Sequence, residues 1–157
     1  MFLVNRESQQ KVMAEIIEIS KTELLEILEE GNFEFDWEQE TVYDLYALKI
    51  VEKEHTVGLM ALKDVKEELR IEIILLESSK DNIGTSKKYD RIAGCLIAWA
   101  CRLAFIKGYY GFVSLIPKTR LITHYENAYG FEQFGRQLAV DTEQSHRLIK
   151  QYLKNED

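Results

Sequence analysis

The chain has 157 residues, 46% of them hydrophobic, and its 20 Lys+Arg stand against 27 Asp+Glu for a formal charge of -7. That length buries one proper core and falls short of two ordinary domains, so a single domain over 1–157 is expected, and the acidic balance opposes the broad basic field that a nucleic-acid backbone requires. No window approaches the roughly 18 consecutive apolar residues of a membrane span, and MFLVNRESQQ lacks the apolar run of a signal peptide; a cytoplasmic protein without nucleic-acid or membrane partners is the expectation.

In chain order, Gln9 to Ile19 is expected to be helical, while residues 1–8 and the aromatic FEFDW (Phe33–Trp37) carry no decisive pattern. Ser20 and Glu23 have capping-box spacing, Leu24, Leu25, Ile27 and Leu28 follow at helical spacing, and Gly31 ends that helix. Thr41 to Glu52 and TVGLMALKDV (Thr56–Val65), separated by the polar EKEH, read as an antiparallel hairpin. LRIEIILL (Leu69–Leu76) is nearly continuously apolar, the pattern of a central strand covered on both faces. After a polar loop, Ile92, Leu96, Trp99, Ala100 and Leu103 recur at three and four until Gly108 closes the helix. Cys95 and Cys101 lie on different faces of it, form no CxxC pair, and read as reduced core thiols. GFVSLI (Gly111–Ile116) is the next strand, parallel to the 69–76 strand through a right-handed crossover. Pro117 ends it, Thr119 caps a helix through Ala128, and Gly130 stops that helix. A strand near Gln137 to Val140 then leads into a helix capped by Asp141 or Thr142 and carrying Leu148, Ile149, Tyr152 and Leu153.

SKKYDRIAGCLIAW (Ser86–Trp99) gathers Lys87, Lys88 and Arg91 at the start of the apolar helix. A helix N-terminus presents unpaired N–H groups and partial positive charge, so it favours anions. The small Ala93 and Gly94 let a ligand approach the backbone, the cations add charge beside it, and phosphate is the natural guest. The alternative is that the three cations only solvate a loop.

With this segment in view, the chain resembles the GNAT superfamily of acyl-CoA-dependent N-acetyltransferases, whose central motif is a strand, a phosphate-cradling turn and a helix. The family's turn, [Q/R]-x-x-G-x-[G/A], matches KYDRIA: Lys88 takes the Gln/Arg position, Arg91 the first Gly and Ala93 the closing Gly/Ala. HYENAYGF (His124–Phe131) is similar to the family's helix ending in Tyr-x-x-x-Gly-Phe; Tyr125 is the match, five residues before Gly130 where four are usual. From Gly84 to Phe131 the segment resembles a bacterial GNAT-like subgroup with a longer strand-to-helix loop, an AKT/PKT turn and an HYE tyrosine. The resemblance covers about residues 41–140 and is strongest from Leu69 to Phe131.

The resemblance implies an α/β (α+β) GNAT-like fold: a mixed, mostly antiparallel sheet with one splayed parallel strand pair and helices on both faces. It implies transfer of acetyl from acetyl-CoA, with no metal, to a primary amine of a small molecule or peptide. Main-chain contacts to the cofactor fall to Leu76 and Ser78 on the splayed strand, and the phosphates to Lys88, Tyr89, Arg91, Ile92, Ala93 and Gly94. Tyr125 is the general acid to the thiolate or else a half-buried aromatic, with Tyr129 the nearer phenol if the helix end is rewound. A carboxylate on the splayed strand is the candidate base, chiefly Glu77 and otherwise Glu72, which alternation puts on opposite faces unless a bulge intervenes. Glu77 is otherwise a loop-edge carboxylate in water. His55, His124 and His146 have no metal-ligand spacing. Trp37 and Trp99 fill core or subunit contacts, and Lys118 meets the CoA end or water. The alternatives are a GNAT-shaped binding or regulatory module without catalysis and an interaction protein assembling through the helix from Asp141 to Lys154, a possible homodimer.

Overall fold

Apolar residues on both sides of a strand blur its alternation, and that is the case for KVMAEIIEI. Ala14 and Ile16 belong to one core and Ile17 and Ile19 to a second. The segment expected to be helical is therefore a strand, rich in the β-branched residues that suit a pleated surface. The computed structural model describes residues 1–117 and 121–154. Its strands are β1 (Phe2–Asn5), β2 (Lys11–Ile19), β3 (Asp44–Ile50), β4 (His55–Val65), β5 (Arg70–Ser78), β6 (Tyr89–Asp90), β7 (Val113–Leu115), β8 (Glu132–Phe134) and β9 (Gln137–Val140); its helices are α1 (Lys21–Glu29), α2 (Ile92–Ile106), α3 (Ile122–Tyr129) and α4 (Thr142–Tyr152).

The strands form one sheet in the order β6-β1-β2-β3-β4-β5-β7-β9-β8, in which only β5 and β7 pair in parallel. A mixed, mostly antiparallel sheet with one parallel pair is the expected GNAT-like architecture. One face carries α2, α3 and α4 over a core that includes Leu48, Met60, Leu96, Ile97 and Leu148; the other carries α1, with Leu24, Phe33, Trp37 and Leu59 buried beneath it. The Ser20–Glu23 capping box starts α1, Asp141 caps α4 by accepting from the Gln144 amide, and Gly130, at φ 72°, stops α3. The expected Thr119 cap and the Lys118 contact lie outside the described residues. Strands β6 and β8 are two and three residues long, too short for any period to register. Among the described residues no helix is long and apolar enough to cross a membrane.

Two glycines bring helices close. An added Cβ at Gly58 of β4 would stand 2.9 Å from Ile92 and 3.0 Å from Leu96, so the glycine seats the start of α2 on the sheet. At Gly94 the Cβ would fall 2.2 Å from the Tyr152 ring. The smallness of Gly94, expected to admit a ligand, is used by α4. Leu148 and Tyr152 are buried on α2 and its surroundings, so the apolar face expected to hold subunits together is part of this chain's own core.

Candidate active site

Parallel pairing between β5 and β7 runs only through Ile71↔Val113, Glu72↔Ser114 and Ile73↔Leu115. Beyond Ile73, β5 continues to Ser78 while β7 stops at Leu115 and Pro117 follows, so the strands part. On its other edge β5 loses one register step: Leu62 faces Ile73, Ala61 faces Leu75, and Ile74 is the extra residue of a bulge. Upstream of the bulge the Ile71 amide donates toward β7, to the Phe112 carbonyl (3.1 Å). Downstream the Ser79 amide donates toward β4, to the Val57 carbonyl (2.9 Å). By alternation the main chains of Leu76 and Ser78 face the open side, as expected of the residues that would hydrogen-bond a ligand arm.

A hollow of about 320 Å³ fills this gap. Ile73, Leu75, Leu76 and Leu115 line it from the two strands, Pro117 from just beyond β7, Tyr125 from α3 and Phe35 from the loop after α1. Because α3 and α1 lie on opposite faces, the hollow passes through the sheet. A second hollow of about 400 Å³ lies at the end of β5 and the start of α2, lined by Ser78, Lys87, Ile92, Ala93, His124 and Tyr129 among others.

The first helical bond of α2 runs from the Cys95 amide to the Arg91 carbonyl (2.9 Å), which leaves the amides of Ile92, Ala93 and Gly94 ahead of the ladder, and Arg91 supplies no side-chain cap. Arg91 has φ 86°, the left-handed conformation for which the family's turn uses glycine. Its guanidinium is held aside: Nε donates to the Phe2 carbonyl (3.1 Å), Nη2 to the Gln151 carbonyl (2.8 Å), and the group lies 4.2 Å from the Phe2 ring and 4.9 Å from the Tyr152 ring.

One expectation for this turn is corrected and two are narrowed. Lys88 sits on a different hollow, with Lys53 and His55, and pairs with Asp81 at 3.7 Å, because its backbone is tied to Asp81 and Arg6. Lys87 is the lysine of the cleft, 3.2 Å from Asp90. The Tyr89 amide donates to the Asn82 side chain (2.9 Å) and is no longer open to a phosphate, while its side chain is buried beside β1. Gly94 is covered by Tyr152, which leaves its amide at the helix mouth and its Cα face closed.

The expected base is also corrected. Glu77 is 3% exposed and its carboxylate accepts from the Glu34 amide (2.7 Å), the Phe35 amide (3.2 Å) and the Trp37 indole N–H (2.7 Å). It clamps the loop after α1 and contributes to neither hollow. The bulge at Ile74 puts Glu72 on the same face, where Arg70 Nη1 donates to it at 2.6 Å and to Ser114 at 2.7 Å. Phe35 is the wall residue the sequence reading missed; three aromatics inside the acidic EEGNFEFDWEQE were its only signal.

Tyr125 lines the gap, and burial raises its phenol above the usual range, so it holds its proton at neutral pH. Tyr129, on the second hollow, is raised more strongly, by burial and then by the nearby phenols of Tyr152 and Tyr125. The rings of His124, Tyr125 and Tyr129 stand about 6 Å apart in pairs, with centroids at 5.9, 5.8 and 6.0 Å. Cys95 and Cys101 are buried, their thiols pushed up to about 11 and about 12 by burial, and neither is poised as a nucleophile. Trp37 is core; Trp99 is half-buried, its indole N–H without a partner among the described residues. No group of three or more His, Cys, Asp or Glu among the described residues could hold a metal ion.

No protein-family model matches the sequence, and no curated protein matches it. Solved structures do match in fold. AtaT complexed with acetyl-methionyl-tRNAfMet superposes with a TM-score of 0.54 at 12% identity over 87% of this chain and 99% of that one. A mutant AtaT toxin bound to the C-terminus of the antitoxin AtaR and acetyl-CoA gives 0.55 at 10% identity, over 90% and 99%. YhhK from E. coli bound to coenzyme A gives 0.53 at 12% identity, over 84% and 99%. The fold is GNAT-like.

Proposed function

We propose that the chain is an N-acetyltransferase that takes acetyl from acetyl-CoA to a primary amine, with the ligand arm along β5 and its phosphates at the mouth of α2. The observation that carries this reading is the open gap beyond Ile73, flanked by the outward main chains of Leu76 and Ser78, together with the uncapped amides at the start of α2. Fold neighbours solved with acetyl-CoA or coenzyme A support it.

The Leu76 amide would polarise the thioester carbonyl as an added strand partner, and Ile92, Ala93 and Gly94 would donate main-chain N–H groups to the diphosphate, with Lys87 and Arg91 adding positive charge. The amine nitrogen bonds to the acyl carbon, the carbon–sulfur bond breaks, and Tyr125 gives its proton to the departing thiolate. The proton lost by the amide nitrogen returns to the tyrosinate, so the products are the acetamide and free thiol. No carboxylate lines the gap among the described residues. The apolar walls themselves disfavour an ammonium and so favour the neutral amine that reacts.

Calorimetric titration with acetyl-CoA tests the reading, and no heat or thermal shift at millimolar ligand would overturn it. Tyr125→Phe should retain acetyl-CoA affinity and lose turnover. Withdrawal of Glu77 from the site favours one second reading, a CoA-binding module without catalysis. That reading predicts the same titration with no acceptor-dependent release of thiol.

A further inference from the structure

We infer that the acceptor is a hydrophobic primary amine with a single ring or short chain, entering the strand gap from the α1 face past Phe35; this rests on the transferase reading above. The walls of the gap are aliphatic or aromatic throughout the described residues, with the Tyr125 phenol as their one ionisable group. A polyamine or a polyhydroxylated amine seated there would leave several charged or hydroxyl groups without side-chain partners. The hollow is shared: Ile73, Leu76 and Tyr125 wall it on the α3 face, where the arm runs, and Phe35, Ile74 and Leu75 on the α1 face, so the acceptor has only part of about 320 Å³, which excludes a large body.

The segment that carries Phe35 has the opposite character. Between Glu29 and Glu40 the chain carries Glu29, Glu30, Glu34, Asp36, Glu38 and Glu40 and no Lys or Arg. Phe35 stands in the middle of this run, 42% exposed, and lines the gap. The acidic segment gives the approach to Phe35 a negative field that favours an ammonium, and the apolar gap then accepts the neutral form. The wall is preformed, since the buried Glu77 carboxylate fixes the main chain of Glu34 and Phe35 and the indole of Trp37. An aromatic side chain on a clamped loop meets a ligand with little ordering cost.

The test uses the full chain with acetyl-CoA and four acceptors: 2-phenylethylamine, hexylamine, spermidine and a methionyl-tRNA. Thiol release should show kcat/KM about tenfold or more higher for the two hydrophobic amines than for spermidine. Phe35→Ala should raise their KM about tenfold, in the range of one apolar contact, with acetyl-CoA affinity unchanged by calorimetry and with Phe35→Leu recovering part of the loss. A preference for spermidine or for the tRNA-borne amine overturns the inference and leaves the transferase reading standing. So does a protein that binds acetyl-CoA yet neither acetylates nor saturably binds the hydrophobic amines. Absence of acetyl-CoA binding removes both.

Discussion

Replacing Glu77 separates a clamp from a base. In the native protein one carboxylate oxygen takes the Glu34 amide at 2.7 Å, and the other takes the Phe35 amide at 3.2 Å and the Trp37 indole at 2.7 Å. Glu77→Gln keeps the shape but puts an NH2 where one oxygen was, so an N–H donor faces a donor and the remaining bonds lose their charge. Hydrogen bonds to charged groups are worth roughly 1.5–3 kcal/mol, so the expected loss is about 2 kcal/mol. Glu77→Ala leaves three donors without an acceptor, two of which regain water as the loop relaxes, for about 3–5 kcal/mol. With a urea slope of roughly 2 kcal/mol/M, the glutamine variant should unfold about 1 M earlier. Urea titration followed by tryptophan fluorescence reads this directly, because Trp37 is one of the clamped groups. A midpoint within about 0.2 M of wild type, at unchanged slope, would refute the clamp; if turnover collapsed at the same time, Glu77 would be the base after all.

Other substitutions test neighbouring joints. Arg91→Gly relieves a left-handed residue worth about 1 kcal/mol but removes two hydrogen bonds and two ring contacts, for a net loss of about 2 kcal/mol in the same titration. Gly94→Ala drives a methyl into the Tyr152 ring and should cost about 1–3 kcal/mol, with Tyr152→Leu in the same chain recovering part of it. The two thiols give a pH dependence. Their folded values of about 11 and 12 lie above the unfolded range near about 8.5, so the stability they contribute is full below that range and is lost as pH climbs through 11 and 12. At pH 8 the native chain should resist iodoacetamide at both cysteines and react at both in urea.

How far the sequence reveals the molecule depends on how local each signal is. The Ser20–Glu23 box, the start of α2 at Ile92, the Gly130 stop and the Asp141 cap each need only a few neighbouring residues, and all are present. β2 was legible as apolar but not as a strand, because Ala14 and Ile16 serve one core while Ile17 and Ile19 serve the other. At the site, the places of Leu76 and Ser78 follow from strand alternation once the bulge at Ile74 is known, and nothing in LRIEIILL marks the bulge. Glu77 has its partners some forty residues upstream, which no spacing rule registers. Lys87 and Lys88 differ by one step along an irregular loop, and only the backbone decides which reaches the cleft.

The guanidinium of Arg91 has one further consequence. It ties the carbonyl of Phe2 in the first strand to that of Gln151 in the last helix, beside the amides of α2. The mouth of α2 is thus held by a knot between distant stretches of chain and not by the loop that bears the motif alone. Every strand of the sheet leaves the ribosome before α4 does, so a nascent chain can assemble its scaffold while this knot is still untied. Damage at Phe2 or Tyr152, remote in sequence from any signature, should register first as loosened ligand retention.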